Sequence, residues 1–306
     1  VSTRLAPLSA LCCAAAALAQ TPPAPEAPPA RPTLVYSGKP LALAFECTDD
    51  DMQWAGMSCS NTEPCPVYLE LSSVETAGDR VFAAGNLHSA ATTLYSVLLA
   101  SDDLGKTWTE PAERIRGAGL DQIQFFDPES GWVSGQTLHP LPQDPFLFIT
   151  RDGGKTWRRQ PVFGESRFGS IVQFWFSSKK DGTIVIDRGQ ATDSARYERY
   201  ESPNGGDTWM IREAGDQAPR LRRAALNTDW RVRADGPSKS FRIERRQAEK
   251  WSTVSAFLIR AGECKPEDRK FAEPPPEPSE SATEPTAAPA PPPARGPRKP
   301  PTLKRP

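Results

Sequence analysis

The sequence has almost no net charge, only two histidines, no Cys-x-x-Cys pair and no apolar run of membrane length. With 37 Lys+Arg against 38 Asp+Glu, its formal charge is −1, so no long-range field draws it to nucleic acid or an anionic membrane. The apolar run that follows Arg4 falls short of the roughly 20 residues a membrane helix needs, which excludes a span there. The cysteine spacings do not suit zinc, and no Gly-x-Ser-x-Gly elbow offers a serine nucleophile. Neither a cofactor nor a metal-ligand set is expected.

The 33 prolines are concentrated: 6 fall in residues 21–32 and 13 in 273–306, stretches too rich in proline to form core. Residues 1–19 carry one basic residue, an apolar run and a closing Ala17-Leu18-Ala19, the pattern of a cleaved export signal. The expected organisation is an export signal (1–19), a Pro-rich linker (20–32), one globular β domain (33–272) and a disordered tail (273–306). The protein is expected in the periplasm or outside the cell. Cleavage leaves Cys47, Cys59, Cys65 and Cys264, an even number that allows three connectivities in an oxidising compartment. The favoured one joins Cys59 to Cys65 locally and Cys47 to Cys264 across the domain.

Within the domain an octapeptide recurs: Ser101 to Trp108, Thr150 to Trp157 and Ser202 to Trp209, with the tryptophans 49 and 52 residues apart. That is the length of a four-stranded propeller blade. Asp103, Asp152 and Asn204 can accept amide hydrogens in a tight turn, while Gly105, Gly154 and Gly206 can take positive φ. Thr107, Thr156 and Thr208 restart a strand, and Trp108, Trp157 and Trp209 bring a large apolar face. A second signal shares the period: apolar strands end at Gly85, Gly135, Gly189 and Gly236, 50, 54 and 47 residues apart. A fourth repeat keeps only Trp251 of the octapeptide, so its turn must be built differently.

At these residues the chain resembles the Asp-box (bacterial neuraminidase repeat) β-propellers. Two octapeptides match Ser/Thr-x-Asp-x-Gly-x-Thr-Trp, and the third departs at Asn204. The strand Gly131 to Gly135 leading into Phe148-Ile149-Thr150 looks most like the branch containing photosystem II assembly and stability factors. The resemblance covers about Tyr68 to Trp251 and implies an all-β fold of four blade repeats. Ring closure stays open between two forms: a four-bladed or open ring, and a composite fifth blade built from Leu34 to Phe45 and Ala256 to Ile259 and pinned by Cys47 and Cys264.

Strand parity puts the octapeptides on the underside and the binding loops opposite. There the sequence offers His88 and His139, in equivalent loops, and arginines at 114, 116, 158, 159, 167, 188 and 196. Candidate top-face binding residues are His88, Arg116, His139, Arg167 and Arg188, the histidines as a shared ligand or metal site and the arginines as carboxylate partners. The expected function is non-catalytic binding of a protein or cell-envelope partner, with no catalytic residues. The alternative is a sialidase-like glycoside hydrolase, which needs converging arginines, an activated tyrosine with a glutamate partner and an acid/base carboxylate. Only five tyrosines are present, mostly in strand patterns.

Overall fold

The computed structural model describes residues 32–189, 195–221 and 229–266, which all fall within one unit, Val1–Glu267. The expected export signal, the tail 273–306, and all but the last residue of the linker lie outside them. Among the described residues no helix is long and apolar enough to cross a membrane.

Among the described residues the regular structure is nearly all antiparallel strand. It opens with β1 (Leu34–Val35) and one short helix, α1 (Asp49–Trp54), which starts on a capping box: Thr48 Oγ1 accepts from Asp51 N at 3.1 Å while Asp51 Oδ2 accepts from Thr48 N at 3.1 Å. The first sheet runs β2 (Cys65–Ala77), β3 (Arg80–His88), β4 (Thr93–Ser101), and β5 (Thr107–Trp108) bridges to it where Thr109 meets Ala100. The second contains β6 (Ala118–Phe125), β7 (Gly131–Thr137), β8 (Gln143–Thr150) and β9 (Arg158–Pro161). The third contains β10 (Ser170–Phe176), β11 (Gly182–Asp187), β12 (Tyr197–Ser202) and β13 (Met210–Gly215). The fourth has β14 (Trp230–Asp235), β15 (Ser240–Gln247) and β16 (Lys250–Leu258); β17 (Arg260–Cys264) then returns to pair beside β2. Successive up-and-down sheets of this kind are consistent with a β-propeller.

Apolar side chains join the sheets face to face. Phe82, Ala84 and Leu98 of the first sheet pack on Leu120, Ile123 and Phe146 of the second. Trp132 and Ile149 of the second pack on Phe174, Phe176 and Ile184 of the third, with Trp132 stacked 3.8 Å from Phe176. Trp230, Ile243 and Phe257 of the fourth join Leu69, Leu99 and Trp108 of the first. Each large side chain so buried contributes roughly 1.5–3 kcal/mol.

The innermost strand is bulged at the same place in the first three sheets, between Leu71 and Ser73, Leu120 and Gln122, and Ile171 and Gln173. Two of the period-marking glycines face this bulge. A Cβ on Gly85 would lie 1.9 Å from Glu70 O, and one on Gly135 2.8 Å from Gly119 O. The other two do not. Ile186, not Gly189, pairs with Ile171, while Gly189 takes a φ of +69° beyond the strand and Gly236 sits past the end of β14. The longer glycine step of the third repeat is therefore a change of role, not an insertion.

Cys47 is bonded to Cys264 and Cys59 to Cys65. Among the described residues the segments expected to build a composite fifth blade meet each other at one point and otherwise join strands already named. Leu34 and Val35 pair with Trp108 and Thr107, Leu41 bridges Phe257, and Ala256 to Leu258 continue β16 in register with β15. The reason is burial, since Ala256 and Phe257 are enclosed and Phe257 fills the core shared with the first sheet.

Candidate functional site

The strand order gathers the octapeptide turns at one end. In the first, Asp103 Oδ1 accepts from Thr107 N at 2.8 Å and Oδ2 from the Thr107 hydroxyl at 2.8 Å, while Ser101 Oγ accepts from Gly105 N at 2.7 Å. The second repeats this, with Thr156 N and Oγ1 donating to Asp152 at 3.0 and 2.6 Å and Gly154 N to Thr150 Oγ1 at 2.8 Å. Burial pushes Asp152 up, but the Thr156 hydroxyl and amide and the Thr150 hydroxyl outweigh it and hold the carboxyl at about 2. In the third, one bond runs the other way: Asn204 Nδ2 donates to Thr208 Oγ1 at 2.9 Å. Trp108 and Trp157 donate to Gly105 O and Gly154 O at 3.0 and 3.1 Å, whereas Trp209 Nε1 has no hydrogen-bond partner among the described residues. Asp103 and Asp152 are thus engaged by their own turns, while Asp102 and Asp207 pair with Arg80 and Arg158 from other strands.

The opposite end carries α1 and the loops after β3, β7 and β11. Arg116 reaches Asp50 at 2.7 Å and Asp51 at 3.1 Å and lies 5.9 Å over the Trp54 ring, which sits 4.8 Å from His139. His139 Nδ1 contacts Thr92 Oγ1 at 3.1 Å, while His88 Nδ1 contacts Ser89 O at 2.9 Å. Each histidine thus has its own local partner. No group of three His, Cys, Asp or Glu side chains suited to a metal occurs among the described residues. Arg158, placed by the sequence among these loops, instead pairs with Asp207 of the third octapeptide, because β9 begins at that end. Arg159 lies 4.6 Å over Phe146, and Arg114 binds Glu110.

Arg167 and Arg188 converge where the second and third sheets meet, 5.0 and 5.9 Å over the Phe163 ring. Arg188 Nε stands 3.6 Å from Glu198, which accepts the Tyr200 hydroxyl at 2.7 Å. That Nε is buried and has no hydrogen-bond partner among the described residues. Beside it lies a pocket of about 270 Å³ lined by Leu141, Pro142, Phe168, Gly169, Ser170, Arg188, Gly189 and Asp187, the last paired with Arg196, with Leu141 53% and Phe168 46% exposed. Sequence reasoning missed Phe163, Glu198 and Tyr200. The available signal was the two-residue spacing of Glu198 and Tyr200, which puts both on one face of β12. Tyrosine, glutamate and arginines together are the set a sialidase-like centre would use, but burial, with Glu198 next, pushes Tyr200 up to about 12, and the residue is only 6% exposed. An ionised, reachable phenol is disfavoured there.

No family model and no curated protein matches the sequence. Solved structures do: YCF48 bound to a D1 peptide, with a TM-score of 0.37 and 16% identity over 62% of this chain and 56% of that one. An α-L-arabinanase of Penicillium chrysogenum complexed with arabinobiose gives 0.33 and 13% over 76% and 71%. The GH74 xyloglucanase of Xanthomonas campestris gives 0.32 and 13% over 60% and 28%. The likeness is one of fold alone. The chain spans little more than half the length of the YCF48 chain it matches.

Proposed function

We propose that this chain is an exported, non-catalytic β-propeller that binds a protein or cell-envelope partner through the end opposite its octapeptides. The observation that carries this reading is Arg188, which stands 3.6 Å from Glu198 and whose buried Nε lacks a hydrogen-bond partner among the described residues, at the edge of a pocket rimmed by exposed Leu141 and Phe168. A guanidinium beside apolar walls suits a carboxylate flanked by apolar side chains. The two disulfides and the export-signal pattern of residues 1–19 support a periplasmic or extracellular location. Arg167 completes the basic rim; His88, His139 and Arg116 are read as supports of the neighbouring loops.

The second reading, a sialidase-like glycoside hydrolase, is favoured by the Tyr200–Glu198 pair under two arginines. The raised tyrosine and its burial favour binding instead. Affinity capture from the native host separates them. A partner recovered by the wild type and lost with Phe168→Asp or Arg188→Gln, at unchanged thermal stability, supports binding. Turnover of a glycoside panel that is abolished by Tyr200→Phe overturns it.

A further inference from the structure

Where the inner strands of the first and second sheets converge, polar side chains gather that the octapeptides and the arginine rim do not use. On the first sheet Glu70 faces Asn86 across β2 and β3, and Asn86 Nδ2 reaches Glu70 Oε2 at 3.4 Å. On the second, Asp121 stands at the β6 bulge, and Gln136 Nε2 donates to its Oδ2 at 2.5 Å. The two strands meet at this point: Ser72 Oγ donates to Leu120 O at 2.7 Å, and a Cβ on Gly119 would lie 3.7 Å from Asn86 Nδ2. Among the described residues neither carboxylate forms an ion pair.

Gln136 supplies the independent observation. It is 4% exposed, and its Oε1 is buried without a hydrogen-bond partner. Because both amide heteroatoms sit on one carbon, anchoring Nε2 on Asp121 leaves Oε1 beside that carboxylate. Reversing the amide offers no relief, since it sets oxygen against oxygen. A buried acceptor left unpaired costs about 1–3 kcal/mol, so the cluster is short of positive charge and of donors.

We propose that Glu70, Asp121 and the Gln136 side-chain oxygen form a binding site for one calcium ion between the inner strands of the first and second sheets. The donors are all oxygen, which selects a hard cation, and two carboxylates balance its charge. No three His, Cys, Asp or Glu side chains come together here, so the third protein oxygen must come from an amide and water completes the shell. So few charged ligands imply the weak range of extracellular modules, with Kd of about 0.1–1 mM.

The test uses the full chain, stripped with a chelator and dialysed against labelled calcium, with thermal unfolding measured in parallel. One bound equivalent and a calcium-dependent rise in Tm are expected. Asp121→Asn and the more exposed Glu70→Gln should each weaken binding by about tenfold or more while the calcium-free fold persists. Gln136→Glu adds a third carboxylate: it should lower the calcium-free Tm, and calcium should restore it with tighter binding than in the wild type. No bound calcium at about 10 mM, or binding unaffected in the Glu70→Gln and Asp121→Asn variants, overturns the proposal.

Discussion

Asp152 and Asn204 occupy the same place in two octapeptides and differ by one atom and one charge, so their comparison isolates what the carboxylate contributes. Asp152 takes the Thr156 hydroxyl and amide, while Asn204 accepts the Thr208 amide but must donate to the Thr208 hydroxyl. With a folded value of about 2 against an ordinary 3.8, Asp152 contributes stability above pH 4 that is lost as pH falls through 2. Asp103 is lowered in the same sense, by Thr107 and Ser101 against the opposing effect of burial. Asp152→Asn should therefore flatten the acid limb of a Tm-versus-pH curve, and Asn204→Asp should steepen it, as scanning calorimetry from pH 5 to about 2 would read.

Glu75 predicts the reverse sign. Burial lifts it from 4.5 to about 7 against the opposing Thr76 amide, so the folded chain holds this proton more tightly than the unfolded one. Stability is highest below pH 4.5 and declines as pH rises to about 7. Glu75→Gln should remove that decline and stabilise the protein by roughly 1–3 kcal/mol at pH 8, measured by urea unfolding.

At the scale of the element, the β15–β16 hairpin replaces the octapeptide with a two-residue turn in which Ala248 and Glu249 take φ of 43° and 72°. Both are side chains in glycine-like conformations, and Asn-Gly is the pair this turn prefers. Ala248→Asn with Glu249→Gly should raise unfolding free energy by about 1 kcal/mol without changing the fold. Gly85→Ala should do the opposite, by about 3 kcal/mol or more, because the new Cβ would meet Glu70 O at 1.9 Å and the inner-strand backbone cannot yield.

These elements also show what the sequence can carry. The octapeptide turns were legible because Ser/Thr, Asp, Gly and Thr bond to one another within five residues. The bulge opposite Gly85 and Gly135 was not, because it is a property of two strands, and so Gly189 was aligned with glycines that do another job. Glu198 and Tyr200 were hidden for a like reason: their neighbours come from other chain segments, Arg188 from just beyond β11 and Phe163 from the preceding sheet. Arg158 was misplaced by a short strand whose end, not its middle, decided its neighbour.

For the whole molecule, apolar clusters join the fourth sheet to the first, the first to the second and the second to the third. The far face of the third sheet instead carries the ion pairs Arg199–Glu201, Arg199–Glu213 and Arg212–Glu201. Gln173 binds Pro219 O and Leu221 N at 3.1 and 3.2 Å, as Gln124 binds Phe176 O and N at 2.7 and 2.8 Å, so the chain leaves the third sheet by the same clasp that begins it. The Cys47–Cys264 bond spans 217 residues and is worth about 5 kcal/mol in the chain-entropy model. Replacing both cysteines with serine should cost a large part of that and speed hydrogen exchange first in β17 and its partner β2.

On the proposed function, partners engage the end opposite the octapeptides. Photo-crosslinking probes placed at Leu141 and Phe168, and separately at Lys106 and Lys155 in the octapeptide turns, test it in the native host. One discrete adduct is expected from Leu141 and Phe168, lost with Arg188→Gln, and none from the lysine positions. The same adduct from Lys106 or Lys155, with none from Leu141 or Phe168, would contradict it.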